Sequence, residues 1–231
     1  MESLIEQLPK IVAEGKKEVE RIIERLESDN RITLQTNEYV LPVRKEVNLF
    51  RGKYQDIDGQ NWFNRLCYGD NLLVMQALLN GDAETGLPSM RGKIDLIYID
   101  PPYDSKADYR TKITLPDLNL EQKPNVMEQF AYADTWKDGT VSYLKMMYPR
   151  LYLMKELLSE QGSIYVHLDW HVGHYVKLLL DDIWGKNNFR NEIVWCYTTA
   201  SNSTSDFPKK HDIILRYAKS ESPIFNKDDI R

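Results

Sequence analysis

Residues 93–99 form a mostly apolar run that stops at Asp100-Pro101-Pro102-Tyr103. A run this short and apolar is typical of a strand that is buried on both faces of a parallel sheet, and we predict such a strand here. Ligands of open α/β sheets bind just outside the carboxyl ends of the strands. The Asp-Pro-Pro-Tyr loop therefore lies where a binding site is expected.

The segments on either side of this run alternate between strand-like and helical patterns. Alternation of this kind predicts an α/β fold with a doubly wound, mostly parallel sheet. Gly162 is the expected stop of the longest helix in the series. In chain order we predict a short strand at about 64–68, a helix at 72–79, the strand at 93–99, a helix at 143–159, a strand at 163–168, a helix at 172–183, and strands at 191–197 and 212–217.

An N-terminal segment, residues 3–26, places apolar side chains at helical spacing among Glu, Lys and Arg. This pattern predicts an amphipathic helix or a pair of helices. The apolar stripe either covers the protein's own domain or contacts a second copy or another partner, because periodicity does not name the surface that a helix covers. A polar stretch at about 28–46 follows, and the main domain is expected to begin near Asn48.

Composition excludes several classes of protein. The formal net charge of −5 argues against a protein that coats nucleic acid nonspecifically, although it leaves room for a local DNA groove. Cys67 and Cys196 are the only cysteines, which excludes a disulfide framework and a four-cysteine zinc site, and we predict both as buried thiols. No secretory signal or membrane-spanning run is recognisable, so we expect a cytoplasmic protein that has no membrane partner.

The chemistry of the loop suits a planar substrate that carries an amino group. Pro101 and Pro102 fix two φ angles and lack N–H groups, which makes the loop stiff and leaves its carbonyls free to accept. Asp100 and the Pro101 carbonyl are acceptors for the hydrogens of a base amino group, and Tyr103 can stack on a base flipped out of a duplex. The alternative is a rigid surface turn without function.

A long stretch from Tyr103 to about Thr135 shows no clear periodicity, and we expect a lid or substrate loop there. Phe130, Tyr132 and Trp136 lie at its end. These three aromatic side chains either wall the substrate pocket or anchor the loop to the core.

Three histidines and an aspartate, at positions 167, 169, 171 and 174, have residue types that bind metals. A break between strand and helix separates them, and a helix-capping role for Asp169 is simpler. We therefore predict no metal site.

Linked motifs of this chain resemble the amino-methylating DNA methyltransferases of the permuted β group, especially the modification subunits of type III restriction systems. The resemblance covers about residues 64–219. The matching segments are Tyr68-Gly69-Asp70-Asn71 before a leucine-rich helix, 95–103, 130–134 with Trp136, 162–169, 182–185 with 188–189, 193–195, and 211–217.

This resemblance implies a set of roles. Asp100, Pro101, Pro102 and Tyr103 would be the catalytic residues, and S-adenosylmethionine the methyl donor. Asp70, Asn71 and Asp100 would contact that donor, while Phe130, Tyr132 and Trp136 would line the base pocket. For Asp70 a second reading is a helix cap, and both roles can hold at once.

One motif of the family is absent from this sequence. The resemblance leads us to expect a Phe-x-Gly-x-Gly loop that cradles the methionine part of the donor, placed after the target-recognition region, but the last glycine is Gly185. We therefore expect an incomplete methyltransferase fold that stops within or soon after the start of that region. The expected divisions are a helical extension at 1–47, the catalytic domain at 48–200, and the start of the target-recognition region or a last strand at 201–231.

Three functions follow from the resemblance. The first is a DNA adenine-N6 methyltransferase of a restriction-modification system, since an initial Asp in the loop is commoner among the adenine enzymes of the family. The second is the same fold acting on the N4 of cytosine or on RNA. The third is a catalytically silent DNA-binding or assembly fragment. Implied partners are double-stranded DNA, a restriction subunit with helicase and nuclease activities, and a second copy of the chain.

Overall fold

A computed structural model describes residues 3–28, 66–67, 69–81, 87–103, 112–115, 118–121, 139–198, 205–207 and 209–230. Its helices are α1 (Leu4–Glu27), α2 (Asn71–Asn80), α3 (Thr140–Leu157) and α4 (Gly173–Trp184). Its strands are β1 (Ile94–Ile99), β2 (Lys112–Leu115), β3 (Leu118–Glu121), β4 (Leu158–Leu168), β5 (Phe189–Cys196) and β6 (His211–Ala218). Short 3-10 helices span Lys186–Asn188 and Lys227–Ile230. No helix in these ranges is both long enough and apolar enough to cross a membrane.

Four strands form the main sheet in the order β1-β4-β6-β5. β1 pairs with β4 in parallel, with Tyr98 opposite Tyr165. β6 lies between β4 and β5 and runs antiparallel to both. The α/β class is confirmed, but the described sheet is mixed rather than mostly parallel, because β6 runs opposite to its two neighbours.

Helices cover one face of this sheet. The side chains of Ile164, Val166, Leu168 and Leu215 point toward that face and are fully buried, and they form one core with α1, α3 and α4. A second cluster joins α1, α2 and α3 beside β1. None of the four helices packs on the opposite face, so the doubly wound arrangement is not seen among the described residues.

The opposite face, called the open face below, exposes large apolar side chains. Leu96 and Tyr98 of β1 are 62% and 54% exposed, and Ile193 and Trp195 of β5 are also exposed. The expectation that β1 is buried on both faces is therefore wrong in this structure. The apolar residues of β1 would suit burial on both faces. In this structure only the side chains that face the helices, such as Ile97, pack against another layer.

Helix α1 packs on α3 through its apolar stripe, with Ile11, Val19, Ile22 and Leu26 buried. It begins with a capping box in which Ser3 and Glu6 satisfy backbone N–H groups at the helix start. The reading in which this helix covers its own domain is therefore the one that the structure contains. An ion pair between Lys145 and Glu14 at 2.7 Å adds to the contact.

Several local predictions differ from the structure. Gly162 lies inside β4 rather than at a helix end, because α3 stops at Leu157 and the chain enters the strand directly. A Cβ at Gly162 would lie 2.8 Å from the Ile94 carbonyl oxygen, so the close approach of two strands explains this glycine. The stretch after Tyr103, which shows no periodicity, contains the antiparallel hairpin of β2 and β3. Leu66 and Cys67, the described part of the strand predicted at 64–68, are not in a strand.

Candidate active site at the carboxyl edge of the sheet

The topology brings residues from four strands to one edge. Asp100 follows the end of β1, and His167 lies near the end of the parallel strand β4. Because β6 runs the opposite way, Asp212 near its start reaches the same edge, and β5 brings Trp195 near its own end. We call this group, together with Tyr98 and Tyr103, the edge cluster.

Asp100 and Tyr103 contact each other within the Pro-Pro loop. The side chain of Asp100 is 58% exposed, and the Tyr103 hydroxyl donates a short hydrogen bond to its Oδ1. Burial raises the pKa of Tyr103, and the hydrogen bond to Asp100 raises it further, so the phenol stays neutral and remains a donor. Asp100 Oδ2 accepts no hydrogen bond from the described residues, which leaves this oxygen open to a ligand.

His167 lies at the centre of the edge cluster. Its Nδ1 is 2.9 Å from the Tyr98 hydroxyl and 3.7 Å from Asp100 Oδ1, and its Nε2 is 3.5 Å from Asp212 Oδ2. The indole of Trp195 is stacked parallel to the imidazole, with ring centroids 6.2 Å apart. Partial desolvation, followed by the charge of Asp100, raises the pKa of Tyr98.

Asp212 also interacts with aromatic hydroxyl groups. Desolvation raises the pKa of Tyr197, and Asp212 adds to this increase through its charge and a hydrogen bond. The same carboxylate contributes to the raised pKa of Tyr103. His167, Trp195 and Asp212 were not among the predicted site residues. For His167 and Asp212 the available signal was a polar residue near the end or the start of an apolar strand, whereas nothing in the sequence singles out Trp195.

The predicted donor residues Asp70 and Asn71 lie at the start of α2. Asp70 caps this helix by accepting from the backbone N–H groups of Leu72 and Leu73 at 2.8 and 3.3 Å. Arg150 of α3 reaches Asp70 Oδ2 at 3.3 Å and Asn71 Oδ1 at 2.6 Å. Neither side chain hydrogen-bonds to the Asp100 loop in the described part of the chain. The capping role of Asp70 is therefore present, while donor contact stays a prediction.

Other predicted residues fall outside the cluster. Phe130, Tyr132 and Trp136 lie outside the described residues, so their role in the base pocket stays a prediction. Cys67 and Cys196 are both exposed, and the prediction of buried thiols is wrong, since Cys196 lies at the outer edge strand β5.

The histidine and aspartate series does not converge on one point. His171 bonds to Asp169 through both its backbone N–H and its ring, whereas His167 points to the open face. Asp169 stabilises the turn before α4 but is not its N-cap, which is Val172. Across the described ranges, no group of three or more His, Cys, Asp or Glu side chains is placed to hold a metal ion.

Comparison with known proteins identifies relatives of known type. The chain is 29% identical over 184 residues to the type III restriction-modification enzyme EcoP15I Mod subunit of Escherichia coli, covering 75% of this chain and 27% of that protein. It is 30% identical over 173 residues to the StyLTI Mod subunit of Salmonella typhimurium, covering 71% and 25%. It is 31% identical over 166 residues to the type II methyltransferase M.EcaI of Enterobacter cloacae, covering 71% and 31%. The chain thus spans about a quarter to a third of the length of these relatives.

Two solved structures are similar at low identity. The M1.HpyAVI-SAM complex has a TM-score of 0.38 and 15% identity, with 69% of this chain and 57% of that chain covered. The cytosine-N4-specific PvuII DNA methyltransferase has a TM-score of 0.40 and 14% identity, with 71% and 52% covered.

The family match includes the whole edge cluster. The DNA methylase family N6_N4_Mtase matches residues 94–231, a range that contains Asp100, Tyr103, His167, Trp195 and Asp212. The match covers more than half of the chain and reaches all four strands of the main sheet. The chain therefore belongs to the N6_N4_Mtase family of DNA methylases.

Proposed function

We propose that this chain holds the target base in a DNA methyltransferase that transfers a methyl group from S-adenosylmethionine to the N6 amino group of adenine. The observation that carries the proposal is the placement of Asp100. Its carboxylate is exposed at the carboxyl edge of the sheet, on a loop stiffened by Pro101 and Pro102. One carboxylate oxygen accepts from Tyr103, and the other accepts no hydrogen bond from the residues that the structure describes.

The chemistry of amino methylation explains why these groups suit the reaction. The lone pair of a base amino group is delocalised into the ring. The nitrogen becomes a better nucleophile when its N–H groups donate hydrogen bonds to acceptors, because these bonds localise the lone pair. Asp100 Oδ2 and the Pro101 carbonyl are such acceptors. Tyr103, as predicted from the sequence, and Trp195, which is 56% exposed, offer aromatic faces against which a flipped base can stack.

The edge cluster also contains groups that attract the methyl donor. A sulfonium cation is attracted by carboxylates and by aromatic faces, and the edge cluster has Asp100, Asp212 and Trp195. When bound, the donor supplies an electrophilic methyl group, and the protein aligns that group with the amino nitrogen. We propose that Asp70, Asn71 and Asp100 contact the donor. We also propose that the base pocket has further walls formed by Phe130, Tyr132 and Trp136.

The relatives suggest the setting in which this activity operates. Two of them are Mod subunits of type III restriction-modification enzymes, so we propose double-stranded DNA as substrate and a restriction subunit as partner. A second copy of the chain is a further proposed partner. Enzymes of this kind work where the DNA of the cell lies, and the compartment that the proposal implies is the cytoplasm.

The direct test is methyl transfer from tritium-labelled S-adenosylmethionine to double-stranded DNA, followed by mass spectrometry of the digested nucleosides. We expect N6-methyladenine from the wild-type protein and a loss of at least about 100-fold for Asp100→Ala. Asp228→Ala is the matched control, because Asp228 is an exposed aspartate outside the edge cluster. Calorimetric titration of the donor into both variants separates a loss of binding from a loss of chemistry.

Each other result points to a named alternative. N4-methylcytosine in place of N6-methyladenine would assign the same site to cytosine. Methylation of RNA but not of DNA would identify RNA as the substrate. A folded protein that binds DNA but neither binds the donor nor transfers methyl groups would be the catalytically silent module.

A further inference from the structure

Polar groups of three neighbouring residues lie near the two ring nitrogens of His167. Nδ1 faces Tyr98 at 2.9 Å and Asp100 at 3.7 Å, while Nε2 faces Asp212 at 3.5 Å. Its side chain is 15% exposed, although the open face around it is uncovered. An imidazole in this position connects β1, β4 and β6 at the edge where the base is proposed to bind.

The partners define which nitrogen carries the proton in the neutral ring. A carboxylate accepts hydrogen bonds and never donates, so a ring nitrogen can interact favourably with Asp212 only as an N–H group. Nε2 is buried and has no hydrogen-bond partner within normal distance among the described residues, and Asp212 Oδ2 lies 3.5 Å from it. Asp100 does not require a proton on Nδ1, because its Oδ1 is 3.7 Å away and already accepts from Tyr103. With the proton on Nε2, Nδ1 is an acceptor, and the Tyr98 hydroxyl donates to it.

Packing restricts the ring as well as its hydrogen bonds. Trp195 lies parallel to the imidazole at an interplanar angle of 9°, and Tyr103 is tilted against it with centroids 5.9 Å apart. Rotation of the imidazole would therefore break contacts with both the Pro-Pro loop and β5. The core of the protein lies on the other face of β4, so His167 contributes little to that core.

We propose that His167 is a positioning residue that sets the orientation of the Asp100 loop relative to Asp212 through a chain of contacts from Tyr98 to His167 to Asp212. The proposal rests on the proposed methyltransferase function and adds a residue that acts on Asp100 rather than on the base. It explains why an ordered imidazole occupies an otherwise open sheet face. Misplacement of a reacting group by about 1 Å can lower a rate about 100-fold, so small rotations of Asp100 matter.

Two substitutions separate the two sides of the ring. In His167→Asn the amide occupies the position of Nδ1 and keeps a partner for Tyr98, whereas in His167→Gln the amide reaches toward Asp212 and leaves Tyr98 without one. His174→Asn is the control, because His174 is exposed on α4. We expect His167→Gln and His167→Ala to lower kcat about 100-fold with little change in KM for DNA or in Tm. We expect His167→Asn to lower kcat as well, but less than His167→Gln, because it keeps the Tyr98 contact beside the Asp100 loop and loses only the contact toward Asp212.

A second measurement does not depend on activity. Long-range proton–nitrogen NMR of the labelled wild-type protein reports the tautomer of each of the four histidines, and the signal that is missing in His167→Asn identifies His167. We expect the neutral form of the ring to carry its proton on Nε2, and a mixture of tautomers in Asp212→Ala.

The results distinguish this inference from the proposed function. A ring protonated mainly on Nδ1, or His167 variants whose kcat equals that of the His174 control, would overturn the positioning role. A loss of kcat accompanied by a large decrease in Tm would also overturn it, because the role of His167 would then be structural. If the folded wild-type protein has the Nε2 tautomer but transfers no methyl group, the methyltransferase proposal fails, whereas the contact between His167 and Asp212 is supported.

Discussion

The predicted site residues and their partners have two kinds of environment, exposed and buried. Asp100 and Trp195 are exposed and available to ligands, whereas Arg150 is largely buried and engaged with Asp70 and Asn71. Burial lowers the pKa of Arg150, and Asp70 opposes this effect. Exposed side chains such as Asp100 are available for ligand binding, whereas the buried Arg150 stabilises the fold. Substitution of the first kind should therefore affect binding, and substitution of the second kind should affect stability.

Asp70 allows its capping role to be separated from its charge. Asp70→Asn keeps a side-chain oxygen that caps α2 but removes the charge that faces Arg150, while Asp70→Ala removes both. We expect Asp70→Ala to lower the free energy of unfolding by about 1 to 2 kcal/mol and Asp70→Asn by about half of that or less. Urea denaturation of both variants measures this difference. Equal losses would contradict a capping role, and a large loss of donor affinity in Asp70→Asn would support contact with S-adenosylmethionine.

Buried tyrosines predict how stability depends on alkaline pH. Burial raises the pKa of Tyr217, with Asp181 as its hydrogen-bond acceptor, and burial raises the pKa of Tyr148, which donates to Asp182. The unfolded chain loses these protons above about pH 10, while the folded protein keeps them. The stabilisation is therefore complete below about pH 10 and decreases as pH rises, by up to about 1.4 kcal/mol per pH unit for each tyrosine.

The measurement is the free energy of unfolding between neutral and strongly alkaline pH for the wild type and Tyr217→Phe. Tyr217→Phe should reduce the alkaline decrease in stability, because one proton difference is removed. An identical decrease in both proteins would show that Tyr217 keeps an ordinary pKa in the folded state.

Among the elements, the contact between α1 and α3 depends on one small residue. Gly15 faces the ring of Tyr148 so closely that an added Cβ would overlap it. The apolar stripe of α1 is visible in the sequence, but nothing there singles out this glycine, since close approach of two helices is a tertiary property. The glycine sets the distance between the two helices.

Gly15→Val should therefore lower the free energy of unfolding by about 1 to 3 kcal/mol, because the added atoms force the helices apart. Glu20→Val is the control, since Glu20 is exposed on the same helix and the substituted residue has the same β-branched side chain. Urea denaturation of the two variants gives the comparison. If Gly15→Val is no more destabilising than Glu20→Val, the close contact with Tyr148 is not maintained in solution.

At the scale of the whole molecule, the main sheet has one face covered by helices and, as far as the described residues show, one open face. β4 lies between two neighbours and buries one face against helices. β5 is at the outer edge, and its residues from Asn191 to Cys196 are exposed. Because local opening is easier where few apolar contacts must break, the two strands should differ in protection even though they belong to one sheet.

Native-state hydrogen exchange measures this difference directly. We expect the amides of Ile164 and Val166 in β4 to exchange only through global unfolding. The amides of Ile193 and Val194 in β5 should exchange faster by at least about tenfold, through local opening. Equal protection of both strands would contradict the open arrangement and would indicate that another layer covers β5 in solution.

The sequence alone determined the features that depend on neighbouring residues. The stripe of α1, the four helices, the strands of the main sheet and the loop from Asp100 to Tyr103 follow from local periodicity and from the restricted geometry of proline, and the structure contains them with shifts at their ends. The strand predicted at 64–68 is not found at Leu66 and Cys67, and the hairpin of β2 and β3 was not predicted. The loop was also correctly expected at the carboxyl end of β1, since a strand that ends in polar residues places them beside the sheet edge.

Only the tertiary structure decided which strands are neighbours. A period of two assigns side chains to alternate faces but does not reveal that β6 lies antiparallel between β4 and β5. That pairing joins segments far apart in the chain, and it brings Asp212 and Trp195 to His167 beside the Asp100 loop. It also leaves Leu96 and Tyr98 on an open face, because an apolar pattern encodes the tendency to be buried, whereas burial itself requires a partner layer.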